Sequence, residues 1–258
     1  GIEVSFFEAE WNPEVQTGQV KEALGQAPNA AVIVCTEAER GVAWIKELYK
    51  AKIPVVAATV PPKREGLRYA AGFSGPDDWG SMRMLSRHFA EKMGGSGGYA
   101  ILQHKPGSGT FYARTYAPLT ELNIVAPDMQ LLAAESGELD RKRSFEVVSG
   151  WLSEYGSRLK GIISADDSDM MIGLSRAVTE AGRDDLVLVS SGNSKVGMDF
   201  VKEGVLDAVT YQSAETDGAM PLEIAVDYFN GITRDPVRYL PKGLITATNV
   251  EQYLPAQW

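Results

Sequence analysis

Four polar side chains stand where an apolar run gives way to a helical pattern, and each could grip a small hydroxylated molecule. Arg114 follows the strand-like start of "YAILQHKPGSGTFYART", Asp167 lies in "SADDSDMM", Asn193 in "SSGNSK", and Gln212 ends "DAVTYQ". A guanidinium offers a rigid fork of donors that suits vicinal hydroxyls or a carboxylate. Phe111, Tyr112 and Tyr116 surround Arg114 in sequence, and flat apolar rings pack on the C–H faces of sugars. Each residue also has a plainer reading. Arg114 could be a solvated helix arginine, and Gln212 an exposed polar residue at a strand end. Asn193, with Ser191 beside it, could make an Asx-type turn. Asp166 and Asp167 could cap free N–H groups at a helix start, and at least one of them is expected to do only that. Thr59 and Cys35 end earlier apolar runs. Cys35 reads more readily as a small buried apolar filler than as a nucleophile.

Other chemistries fit less well. In the glycine loop, Gly107 and Gly109 are followed by Tyr112 where a dinucleotide fingerprint needs its third glycine, and no Gly-Lys-Ser/Thr opens the helix. The loop is then a tight turn that glycines permit. The "SADDSDMM" stretch lacks calcium-loop spacing. His88 and His104, the only histidines, show no metal spacing and no triad. No nucleophile elbow or carboxylate pair stands out, so the chain reads as a binding protein rather than an enzyme, with no cofactor.

The elements that must position these residues alternate along the chain. Strands are predicted at 2–9, 30–36, 53–59, 99–103, 129–134, 160–164, 186–190 and 207–212, with a fourth extended piece near "RYAAGFS". Asn12 before Pro13 is a helix start signal. Further helices are expected near 77–93, 110–122, 139–155, 167–181, 195–203 and 217–230, and another with Val42, Ile45, Leu48 and Tyr49 on one face. "IPVVAAT" is apolar throughout, as in a parallel strand buried on both faces. A final strand and short helix close the chain. This is an α/β pattern of two doubly wound parallel-sheet lobes, which are expected to exchange strands and meet at a ligand cleft. Ligands in such sheets bind at the carboxyl ends of strands.

The 258 residues carry a net charge of −9 without a basic run, which argues against nucleic acid as a partner. One cysteine excludes an internal disulfide and leaves the compartment open.

Taken in order, "IPVVAAT", "GGYAILQHKPGSGTFYART", "GIISADDSDMMIGLSRAVTEAG", "FVKEGVLDAVTYQ" and "LITATNVEQYL" resemble the periplasmic sugar-binding proteins of ABC transporters, of the ribose- and galactose-binding type. The resemblance covers nearly the whole chain. It implies a type I periplasmic binding fold with hinge closure, a sugar or polyol ligand, a membrane permease as partner, a monomer, and a periplasmic mature form. It places three crossings near Ser74, Gln212 and Pro241, giving one lobe of 1–74 plus 213–241 and another of 75–212 plus 242–258. By position, Arg114 matches the family's ring-gripping arginine and Gln212 its glutamine at a hinge strand. Asp167 stands at a usual asparagine, Thr59 and Gly192 at usual aspartates, Cys35 at a frequent asparagine and Leu139 at a frequent aromatic. Charge-assisted hydrogen bonds to hydroxyls are the strong ones, so the expected ligand departs from a standard pentose or hexose toward a smaller polyol, a cyclitol or a modified sugar. The family's opening strand-loop-helix unit, about 30 residues, is expected to be missing, making the chain a fragment of a longer protein. The rival readings are the effector domain of a transcription regulator, the sensor part of a receptor and a nucleotide-using enzyme.

Overall fold

The structure, a computed structural model, describes residues 1–232 and 235–258. In chain order its elements are α1 (Pro13–Gln26), β1 (Ala31–Ile33), α2 (Ala38–Lys50), β2 (Val55–Ala58), α3 (Arg64–Leu67), β3 (Gly72–Gly75), α4 (Asp78–Lys92), β4 (Ser96–Gln103), α5 (Gly109–Val125) and β5 (Asp128–Ser136). There follow α6 (Arg141–Tyr155), β6 (Leu159–Ser164), α7 (Asp169–Glu180), β7 (Val187–Ser190), α8 (Lys195–Glu203), β8 (Ala208–Thr210), α9 (Ala214–Phe229), β9 (Val237–Tyr239) and β10 (Leu244–Thr246). The chain divides into two compact units: Gly1–Gly75, Gly107–Gly109 and Glu215–Leu240 in the first, and Pro76–Pro106, Thr110–Ala214 and Pro241–Trp258 in the second.

The first unit holds a four-stranded sheet in the order β1-β2-β3-β9, parallel throughout. Every residue of β2 is buried, in keeping with its unbroken apolar run. Val55 and Ala57 face a core with Trp44, Ile45 and Leu48 of α2, while Val56 packs on Ile224 and Ala225 of α9. That alternation is the period of two expected of an extended strand. Asn12 starts α1 as its type suggests: its Oδ1 accepts from the N–H groups of Glu14 and Val15, and Pro13 follows at the first helical position.

The second unit holds a six-stranded sheet, β10-β8-β7-β6-β4-β5. It is parallel except for β10, which runs antiparallel to β8 at the edge. Ala100 and Leu102 of β4 and Ile162 of β6 face one apolar layer with α6, α7 and α8. Tyr99, Ile101 and Ile163 face the other, with Met82, Leu85 and Phe89 of α4. Helices thus cover both faces, and every β-to-α join of the central strands opens at the same end of the sheet.

Four expectations change. Residues 2–9 form no strand, although their alternation suggests one. Strand backbone needs a paired neighbour, and no strand of the described residues runs beside them; Phe6 is 89% exposed. Strand β9 was not foreseen, because a three-residue run containing Arg238 becomes a strand only by pairing with β3. Tyr49 does not share the buried face of α2, where Gly41, Trp44, Ile45 and Leu48 lie. And α9 begins at Ala214, earlier than the predicted 217, so that Pro221 lies inside the helix.

Candidate functional site

Four neighbouring strands of the second unit, β8, β7, β6 and β4, each deliver a polar side chain at their carboxyl ends. The loop after β4 leads into α5 and Arg114. Its side chain is 14% exposed, and its Nε–H donates to Asp78 Oδ1 at 2.9 Å in the first turn of α4. One Nη1–H donates to the carbonyl oxygen of Ala165, just past β6, at 3.0 Å. The fork is thus anchored from two elements while Nη2 bonds to no protein group among the described residues. Two fixed bonds remove the rotamer freedom that an exposed arginine would lose on gripping a ligand.

Beyond β6 the two adjacent aspartates separate by role. Asp166 caps α7: its Oδ2 accepts from the N–H groups of Ser168 and Met170 at 3.1 Å each. Asp167 turns the other way and is 4% exposed. Its Oδ2 accepts from the N–H of Ser194 at 2.7 Å, between β7 and α8. The carboxyl group fills space that two glycines leave open. A Cβ at Gly192 would lie 2.3 Å from Asp167 Oδ1, and one at Gly197 would lie 1.9 Å from Oδ2. Gly192 also has a φ of +115°, a region that side-chain-bearing residues rarely adopt. Burial is the main force on the Asp167 acid and the Asp166 carboxylate adds to it; the Ser194 bonds and Arg114 oppose them, and the result lies at about 7. Near neutrality this group can therefore either donate or accept a proton in a hydrogen bond.

After β7, Asn193 is 5% exposed and its Oδ1 accepts from the N–H of Gln212 at 3.0 Å, past the end of β8. Its Nδ2 bonds to no protein group among the described residues. The Gln212 carbonyl accepts from Trp258 Nε1 at 2.9 Å. Gly192 N–H donates to Thr210 Oγ1 of β8 at 2.8 Å. Arg114, Asp167, Gly192, Asn193 and Gln212 thus form one connected polar rim along adjacent strand ends, with donors on Arg114 and Asn193 left for something other than protein.

Tyr112 and Tyr116 stack with ring centroids 6.3 Å apart on an exposed face of α5, and Phe111 meets Tyr112 edge-on. Leu139 precedes α6 with a φ of +58° and packs partly against the second unit's core. In the first unit Thr59 ends β2, while Cys35 is fully buried in the apolar core, where burial pushes its thiol up to about 12. Cys35 Sγ occupies the ground a side chain at Gly41 would need, 2.7 Å from such a Cβ; the thiol is packing.

Sequence reasoning missed three groups. Asp78 reads as an ordinary first-turn acid, yet it anchors Arg114. His104, just past β4, is 8% exposed, and burial together with Arg114 lowers its pKa to about 3, so its ring is neutral. Its Nδ1 lies 3.5 Å from Thr110 Oγ1. Asp217, 7% exposed in the first turn of α9, accepts from Thr59 Oγ1. Nothing in the sequence marks them out: Asp78 follows another aspartate, His104 lies between Gln103 and Lys105, and Asp217 lies between Thr216 and Gly218.

The chain can be set beside known proteins. It is 25% identical over 252 residues to a xylitol-binding protein of Mycolicibacterium smegmatis, covering 97% of this chain and 70% of that one. It is 24% identical over 234 residues to a ribose import binding protein of Bacillus subtilis, covering 90% and 73%. Among solved structures, an ABC transporter solute-binding protein from Bacillus halodurans with bound myo-inositol superposes with a TM-score of 0.88 at 22% identity, covering 97% of this chain and 86% of that one. The fold is therefore that of the periplasmic binding proteins, as the resemblance implied. The family model for the periplasmic binding protein domain matches residues 1–233, and the chain belongs to that family.

Proposed function

We propose that this protein captures a small uncharged sugar, polyol or cyclitol in the periplasm and delivers it to the membrane permease of an ABC importer, without changing it chemically. The observation that carries this reading is Arg114: a largely buried guanidinium held by Asp78 and Ala165, with its outer amine bonded to no protein group among the described residues and its charge acting on Asp167. Such a rim suits hydroxyls better than an anion. Asp166 and Asp167 lie beside Arg114, and an additional carboxylate or phosphate would meet their charge. Relatives named for xylitol and ribose, and a structural neighbour holding myo-inositol, support the ligand class.

A thermal-shift panel tests it, with xylitol, D-ribose, myo-inositol and D-allose set against nucleotides and amino acids. A ligand at about 100 times its Kd adds roughly 2.7 kcal/mol of stability, which raises the midpoint visibly. A rise with one or more of the first four supports the reading. A rise confined to nucleotides or amino acids refutes it.

A further inference from the structure

Thr59 stands at the carboxyl end of β2 with a φ of +54°. For a β-branched residue this is a strained conformation, one that persists only when its surroundings impose it. Here the surroundings are specific. Thr59 N–H donates to the carbonyl of Ser74 on the neighbouring strand at 2.8 Å. Its Oγ1–H donates to Asp217 Oδ2 at 2.8 Å, across 158 positions of sequence. Among the described residues Thr59 Oγ1 makes no other hydrogen bond. The Ser74 hydroxyl next to it is fully buried without a protein partner.

A hydroxyl that spends its only hydrogen on a carboxylate has nothing left to donate; it presents lone pairs. The direction of any further hydrogen bond at this strand end is thereby set. We propose that Asp217 is a specificity-determining positioning residue, holding Thr59 so that Oγ1 accepts a hydrogen bond from a hydroxyl of an uncharged sugar or polyol. This rests on the capture role proposed above. Thr59 touches the ligand; Asp217 acts through it. The pair reads an O–H donor, and it disfavours a ligand that brings an ether or carboxylate oxygen to the same place, since two acceptors would then face each other.

The experiment is calorimetric titration with xylitol, D-ribose and myo-inositol on the wild type, Thr59→Val, Thr59→Ser, Asp217→Asn and the Thr59→Val/Asp217→Asn double variant. Thermal midpoints of all five are recorded without sugar. Thr59→Val is expected to weaken binding about tenfold or more, the size of one hydrogen bond. Thr59→Ser keeps the hydroxyl and stays near wild type. Asp217→Asn also weakens binding, and the double variant is no weaker than Thr59→Val alone, because Asp217 works through Thr59. A purely structural pair would lower the midpoints and leave affinity unchanged, and that result overturns the proposal; so does additive loss in the double variant. If the wild type takes none of the three probes, the capture role fails for them. The proposal for Thr59 and Asp217 then falls with it, whereas wild-type binding that Thr59→Val leaves unchanged overturns this proposal alone.

Discussion

Replacing Asp167 by asparagine gives the sharpest test of the second unit's site. In the folded protein burial and the neighbouring Asp166 raise the Asp167 acid from its ordinary 3.8 to about 7. A tenfold change in proton affinity is worth about 1.4 kcal/mol, so holding the charged form there costs roughly 4 kcal/mol. The direction follows from proton linkage. Between pH 4 and pH 7 the folded state keeps a proton that the unfolded state has released, so stability falls as pH rises through that window and levels off above it. Asparagine has the same shape, can still accept from the Ser194 N–H, and carries no charge at any of these pH values. The difference in unfolding free energy between Asp167→Asn and wild type is therefore expected to be small at pH 4 and to grow to at most about 4 kcal/mol by pH 8, in favour of the variant. Taking the difference cancels the titration of groups that do not interact with Asp167. For a chain of this size 1 kcal/mol moves the midpoint by about 2–4 °C, so the effect is readable by calorimetry or circular dichroism at a series of pH values. Parallel curves for the two proteins, or a difference that shrinks with rising pH, would refute the reasoning that Asp167 is a buried acid held near neutrality.

Other outcomes are expected on the same grounds. Gly197→Ala places a Cβ against the Asp167 carboxyl, and overpacking of that kind costs about 1–3 kcal/mol, outweighing the roughly 1 kcal/mol that alanine normally adds inside a helix; chemical denaturation should show the loss, and Asp167→Ala in the same chain should recover it. Arg114→Lys keeps a positive charge near Asp78 but loses the planar fork and the bond to Ala165, so the sugar-free midpoint should drop and the sugar-induced thermal shift should fall sharply on top of it; an unchanged shift would count against Arg114 as a ligand contact. Phe89→Ala empties a fully buried ring site between α4 and the sheet and should cost about 3–5 kcal/mol in urea unfolding. Asn12→Ala removes the acceptor for two free N–H groups of α1 and should cost about 1 kcal/mol.

Much of the architecture was readable from local chemistry. Helix α8 runs from Lys195 to Glu203 as its pattern indicates, because Ser194 caps it and Gly204 takes the left-handed turn that stops it. The β2 run is apolar on both faces because helices cover both. Periodicity, caps and glycine stops act within a few residues, and the order of strands and helices follows from them. Polar residues at strand ends could likewise be named from sequence, since the alternation marks where each strand stops. What each of those residues does was decided by contacts between distant segments. Asp166 and Asp167 are adjacent and identical in type, yet one caps a helix and the other lies in a pocket left by Gly192 and Gly197. Residues 2–9 alternate like a strand and are none, while Val237–Tyr239 is a strand only because β3 lies beside it. Asp78 and Asp217 look like ordinary helix-start acids until folding sets one on Arg114 and the other on Thr59. Hydrogen-bond pairing and burial are properties of neighbours in space, and the chain order of a protein that threads two units in several passes does not announce who those neighbours are.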